Sequence, residues 1–252
     1  MDNEDLNSVP IVPMKLPKRF DQLDEWTTSM FLFESALKEI NTKIEILNNE
    51  FLHIHHYNPI EHVKSRIKTP ESIVKKLKRM GHEVTTENML KYLNDIAGIR
   101  IICSFTPDIY KIADMISNQD DVKVLIIKNY IENPKPNGYK SYHMVVSVPI
   151  FLSDGPVQTK VEIQIRTVAM DFWASLEHKI YYKLEGQAPE SMQEELKLCA
   201  DIVDELDEKM WSLNESIHRL GEEREAQQHQ LSAEEEAEMA EIERKLREAM
   251  ER

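Results

Sequence analysis

The chain has 252 residues, 41% of them apolar, and a formal charge of −14. These values fit a soluble globular protein with one large core plus helical additions, and they exclude nucleic-acid binding through bulk charge. No apolar run approaches the roughly 18–20 residues that span a bilayer. The acidic start MDNEDLNSVP is neither a signal nor a transit peptide. Two cysteines, Cys103 and Cys199, give no disulfide framework and fit a reducing cytoplasm. Both sit in apolar patterns and are expected as inert core thiols.

The charge is unevenly spread. Residues 186–252 hold 20 acids and 8 bases, whereas residues 64–79 hold seven Lys/Arg and one Glu. A local cationic cluster in an acidic protein suits a small polyanion, such as a nucleotide phosphate chain.

In chain order, residues 1–19 read as a flexible arm with three prolines. Residues 20–58 read as a long helix, with apolar residues from Leu23 to Ile54 at 3,4 spacing forming a heptad seam. Residues 60–68 are a short strand. Thr69 caps a helix over 71–80 that starts at Pro70 and stops at Gly81. Further elements are a helix over 86–96, a strand over 98–105, a helix over 107–118 capped by Thr106, and a strand over 122–131. The loop NPKPNGYKSYH opens into a strand over 144–152. A Ser-Asp-Gly-Pro turn leads to a strand over 157–167. There Val161, Ile163 and Ile165 point one way, and Glu162, Gln164 and Arg166 the other. A helix over 171–183 builds its apolar face from Phe172, Trp173, Leu176 and Ile180. Residues 186–221 form a last heptad helix for oligomerisation, from Leu196 to Leu220, which Gly221 ends. Residues 222–252 are an acidic tail, either a solvated helix or disordered. The fold class is α+β, a mixed sheet of four to five strands with surrounding helices and a long heptad-patterned helix at each end. The seams pack on each other or on a second subunit.

Asp95 and Glu162 lie on different elements near a basic helix. Two such carboxylates are what a Mg²⁺–triphosphate complex requires, because Mg²⁺ takes one or two protein carboxylates plus substrate oxygens. The plainer alternative makes Asp95 a helix cap and pairs Glu162 with Arg166 or Arg100. Lys76 shares a helix face with Ser72 and Arg79, while Lys75 and Lys78 face outward. A solvated basic face is the alternative there. The loop has neither a Walker nor a GxGxxG pattern, but its aromatic, cationic and hydroxyl groups suit stacking on a base. His53, His55, His56 and His62 match no zinc spacing and read as surface residues.

DIAGIR at 95–100, GYKSYH at 138–143 and VEIQIRT at 161–167 resemble the synthetase domain of the RelA/SpoT-type (p)ppGpp synthetases. RIKTPESIVKKLKR at 66–79 resembles that family's ATP-binding segment, and MDFWASLEHKIYYK at 170–183 fits too. The resemblance covers roughly residues 45–210 and has four ordered motifs, with a catalytic core over 59–185. Without a paired HD motif or a long regulatory region, the chain resembles the single-domain small alarmone synthetases, the RelP-like branch ahead of RelQ. No hydrolase activity is expected.

The resemblance implies a nucleotidyltransferase-like synthetase domain that transfers the β,γ-pyrophosphate of ATP to the 3′-hydroxyl of GDP or GTP, releasing AMP. Asp95 and Glu162 would hold Mg²⁺, with Glu162 helping to deprotonate the hydroxyl. Arg66 and Arg100 would sandwich adenine, and Lys68, Ser72, Lys76 and Arg79 would hold ATP phosphates. Tyr139 would stack on guanine, with Lys140, His143 and Gln164 on the acceptor nucleotide. A cytoplasmic homotetramer is expected, with no membrane partner. Competing readings are a catalytically silent guanine-nucleotide sensor and a single-stranded RNA-binding module, the latter disfavoured by the acidic tail.

Overall fold

The computed structural model describes Met14, residues 24–183 and residues 189–250. The expected arm over 1–19 lies outside the described residues except for Met14, which is buried against the core. Helix α1 spans Glu25–His55. Asp24 starts it by accepting from the backbone N–H groups of Trp26 and Thr27, both at 3.3 Å, so two of the four orphan donors are satisfied. His56 ends it in a left-handed conformation, φ 53°.

The sheet comprises β1 (Ile60–Ile67), β2 (Ala97–Cys103), β3 (Lys123–Asn129), β4 (Tyr142–Leu152) and β5 (Gly155–Thr167). Their order is β1-β2-β5-β4-β3, with one parallel pair, β2–β5, and the rest antiparallel. That is the mixed five-stranded α+β architecture expected. Val161, Ile163 and Ile165 of β5 are fully buried, as the alternation requires. They join Ile99 and Ile101 of β2, Met144 and Val146 of β4, and the inward residues of α1 in one core.

The α1 seam therefore packs on the sheet, not on a second helical seam. Phe33, Leu37, Ile40 and Ile44 are buried there, because a sheet face of branched apolar residues needs cover. Helix α4 (Thr106–Ser117) packs on β2 and β5, adding Ile109, Ile112 and Ile116 to the core.

Local signals held in part. Thr69 caps α2 (Pro70–Arg79), accepting from the Ser72 N–H at 3.3 Å, and Gly81 follows with φ +74°. Helix α3 (Thr86–Tyr92) ends four residues earlier than its pattern predicts, because Leu93 turns extended. In α4, Thr106 is not the cap. It is the first helical residue, Phe105 precedes it without a side-chain cap, and the Thr106 hydroxyl donates to Asp207 at 3.3 Å.

Helix α5 (Val168–Lys183) buries Trp173, but Phe172, Leu176 and Ile180 are exposed at 60%, 42% and 37%. Among the described residues nothing fully covers that expected apolar face. Helix α6 (Glu190–Met250) runs through Gly221 instead of ending there. A glycine costs a helix only about 1 kcal/mol against alanine, and the Glu/Arg/Ala/Gln neighbours are good helix formers. Of its expected seam Leu196 is buried, whereas Leu206, Met210, Leu213, Ile217 and Leu220 are exposed. Cys103 is buried as expected, but Cys199 is exposed. The chain divides into a compact unit ending at Asp207 and a second beginning at Glu208.

Phe33 is 1% exposed at the centre of α1. Phe33→Ala should lower unfolding free energy by about 3–5 kcal/mol, read as a drop in the chemical denaturation midpoint.

Candidate active site

The face of β5 opposite the core carries Glu162, Gln164 and Arg166 as a ladder. Gln164 Nε2 donates to Glu162 Oε2 at 3.0 Å, and Arg166 Nη2 donates to Gln164 Oε1 at 3.1 Å. The amide is thus oriented by a cation on one side and a carboxylate on the other. Register sets the neighbours. Glu162 pairs with Gly98 of β2 and Val145 of β4, and Gln164 with Arg100 and His143. On β1, Arg66 pairs with Gly98. With glycine there, no side chain rises between Arg66 and Glu162.

Asp95 reaches this face from the extended turn before β2. Its Oδ2 accepts from Lys68 Nζ at 2.7 Å and from Lys76 Nζ at 2.8 Å. The side chain is only 16% exposed. Burial pushes its acidity down, but Lys76 and Lys68 outweigh that and hold the carboxyl at about 2, below its ordinary 3.8. Its other oxygen, Oδ1, is buried without a hydrogen-bond partner. Glu162 behaves oppositely: burial, then the Asp95 charge, raises it above the usual carboxylate range. Two carboxylates of one site are thereby driven apart in proton affinity.

A buried lysine fixes the turn beneath Asp95. Lys160, 2% exposed, donates to the Leu90 carbonyl at 2.8 Å and to Asn94 Oδ1 at 2.9 Å. It ties the end of α3 to β5, which is why α3 stops short of its apolar pattern.

The Tyr139 loop is equally tied. Arg166, 4% exposed, donates to the Tyr139 hydroxyl at 2.5 Å and to Ser141 Oγ at 3.3 Å. The Tyr139 hydroxyl lies 2.8 Å from His143 Nε2. Burial, with Arg166, Lys135, Lys128 and Arg100 around it, holds His143 down at about 3. The ring is therefore neutral at pH 7, with Nε2 sharing a hydrogen bond with the Tyr139 hydroxyl and Nδ1 facing Glu162 Oε1 at 3.9 Å.

Asp171, in the first turn of α5, takes both remaining arginine contacts. Arg100 Nη1 donates to its Oδ1 at 3.1 Å and Arg166 Nη1 at 3.2 Å. Glu162 pairs with neither arginine. The structure thus brings Asp95, Glu162, Lys68, Lys76, Arg100, His143, Gln164 and Tyr139 together. Ser72 and Arg79 are exposed on α2, and Ser72 Oγ is within 3.0 Å of Thr69 Oγ1. Lys140 pairs with Asp204 of α6 at 2.5 Å.

The sequence reading missed Asp171, Lys160 and Asp204. An acid in the first turn of a helix directly after an Arg-bearing strand was the available signal for Asp171. Nothing local marked Lys160 or Asp204. His53, His55, His56 and His62 are exposed. Among the described residues no cluster of three or more His, Cys, Asp or Glu could cage a metal, and no helix is long and apolar enough to cross a membrane.

A mixed sheet that presents two carboxylates among lysines and arginines defines a phosphate-handling α+β domain. A sequence family described as the region found in RelA/SpoT proteins matches residues 65–187. The GTP pyrophosphokinase YwaC of Bacillus subtilis is 47% identical over 195 residues, 77% of this chain and 93% of that protein. The crystal structure of small alarmone synthetase 2 from Bacillus subtilis superposes with a TM-score of 0.70 at 44% identity, covering 77% of this chain and all of that one. Small alarmone synthetase 1 of the same organism, bound to its product pppGpp, gives 0.71 at 33% identity over 77% and 98%. This chain belongs to the RelA/SpoT family and is similar to its small alarmone synthetases, YwaC among them.

Because its folded value is depressed, Asp95 adds stability that is complete above about pH 4 and vanishes as pH falls through about 2. Asp95→Asn should therefore be less stable than the parent at pH 7. That gap in urea midpoint should close between about pH 4 and 2. Asp171→Asn should free both arginines and raise the KM for nucleotide several-fold, measured by steady-state kinetics.

Proposed function

We propose that the protein is a GTP pyrophosphokinase that makes (p)ppGpp by moving the β,γ-pyrophosphate of ATP onto the 3′-hydroxyl of GDP or GTP. The observation that carries this reading is the buried, unpartnered Oδ1 of Asp95 beside Glu162, with Lys68 and Lys76 closing the other oxygen. An orphaned carboxylate oxygen next to a second acid fits a hard divalent cation completed by phosphate oxygens. Asp95 and Glu162 would hold Mg²⁺, which when bound neutralises phosphate charge.

The chain's own residues do the rest. The bond formed joins the acceptor 3′-oxygen to the β-phosphorus, and the bond broken is the one from the β-phosphorus to the α–β bridging oxygen, which leaves on the α-phosphate of AMP. Glu162 takes the hydroxyl proton. Its raised proton affinity makes it a better base than an ordinary carboxylate. Lys68, Lys76, Ser72 and Arg79 hold the ATP phosphates, where fixed cations stabilise the developing charge. Arg66 and Arg100 flank the adenine. The Asp171 contact fixes the plane of the Arg100 guanidinium, which stacking requires. Tyr139 stacks on guanine, and His143 and Gln164 meet the acceptor.

Self-association, with a homotetramer as the proposed state, is supported by exposed apolar side chains: Phe172, Leu176 and Ile180 on α5, and Leu198, Ile202 and Leu206 on α6. With ATP, Mg²⁺ and GDP, the protein should release AMP only when GDP is present. Glu162→Gln should lower that rate by about 10²–10⁴-fold while nucleotide binding, read by calorimetry, persists. ADP in place of AMP would refute pyrophosphoryl transfer. Binding without turnover in the parent would favour a silent sensor.

A further inference from the structure

Lys140 follows the guanine-stacking candidate Tyr139, and the resemblance makes it an acceptor contact. Its ammonium is engaged elsewhere: Nζ lies 2.5 Å from Asp204 Oδ2 on α6, with both side chains mostly buried, at 23% and 32% exposure. Two neighbouring contacts lead to the same helix. Gly138 has φ +86°, and a Cβ there would sit 2.5 Å from the Ala200 Cβ, so the loop backbone rests directly on α6. Tyr139 packs against the small cluster of Trp173, Ala174, Leu196 and Ala200. Trp173 in turn donates its indole N–H to the Leu196 carbonyl at 3.0 Å. Three consecutive loop residues are thus seated on about two turns of α6, between Leu196 and Asp204.

We infer that Asp204 is a positioning residue for the acceptor nucleotide. By holding Lys140 against α6, it fixes the 138–140 segment so that Tyr139 stays aimed at the Glu162 and His143 face. Lys140 acts through Asp204 and does not touch the nucleotide. The geometry permits this because alternate directions of neighbouring residues in an extended segment send Lys140 and Tyr139 apart. Tyr139 goes to Arg166 and His143, and Lys140 goes to α6. A pinned loop also spares the ordering entropy that acceptor binding would otherwise cost. This inference rests on the reading that the Tyr139 loop meets the acceptor.

The test is a double-mutant cycle: Asp204→Ala, Lys140→Met, the pair together, and the charge-exchanged Lys140→Asp/Asp204→Lys. GDP-dependent AMP formation is measured against GDP and separately against ATP. Each single change should raise the GDP KM about three- to tenfold, the range of a modest ion pair. The ATP KM, kcat and thermal midpoint should stay near the parent's. The pair should be no worse than either single change, and the exchanged pair should recover most of the loss. A GDP KM that rises for Lys140→Met but is unchanged or lower for Asp204→Ala would overturn the proposal, since a freed lysine would then be serving the nucleotide directly. Equal rises in both KM values, with a lowered thermal midpoint, would overturn it in favour of a general structural role. Amide hydrogen exchange over residues 133–141 is measured on the same proteins. It should quicken in Asp204→Ala, and unchanged protection would refute the clamp whether or not the parent turns over. Absence of AMP in the parent would instead strike the proposed function.

Discussion

Asp95 must stay ionised where water barely reaches it, and much of the site follows from that. A lone carboxylate there would take up a proton. Two lysines prevent this, one from the end of β1 and one from α2, so both elements must approach the turn before β2. Parallel pairing of β2 with β5 then sets Gly98 beside Glu162. Lys160 closes the arrangement from below by fixing Asn94, the residue before Asp95. Loss of one lysine would leave a buried charge half compensated, which costs far more than a surface ion pair is worth.

The same logic governs the second half of the site. Arg166 is nearly fully buried yet spends its donors on four partners: Asp171, Ser141, Tyr139 and Gln164. A buried guanidinium satisfied in this way is a rigid hub. It couples α5, the acceptor loop and the Glu162 ladder, so a displaced Tyr139 disturbs Gln164 and through it Glu162. The neutral state of His143 belongs to this network, because the cations around it disfavour a further positive charge.

Periodic and local features were legible in the sequence. The alternation of β5 placed Glu162, Gln164 and Arg166 on one face, and Thr69-Pro70 fixed the start of α2, because such patterns depend on neighbours in the chain. Spacing could not pair Asp171 with Arg100, 71 residues away, or Lys160 with Asn94, 66 residues away. Those contacts exist only once the strand order is known. The apolar stripe of α1 packs on the sheet and not on another seam, since a 3,4 apolar stripe fits a sheet as well as another helix. The α5 stripe reads as an apolar face and the α6 stripe as an oligomerisation seam, and in the single chain Phe172 and Leu206 stand exposed. Periodicity reports that a face is apolar and is silent about what meets it.

Strand β1 forms one margin of the sheet, with only β2 beside it. A bare strand margin invites other chains to add to it, the usual beginning of unwanted association. Here the margin carries Glu61, His62, Lys64 and Arg66, all exposed. The cations on this border repel a second copy of the same strand. Neutralising Arg66 and Lys64 would therefore strip the sheet of its guard against edge-to-edge polymerisation.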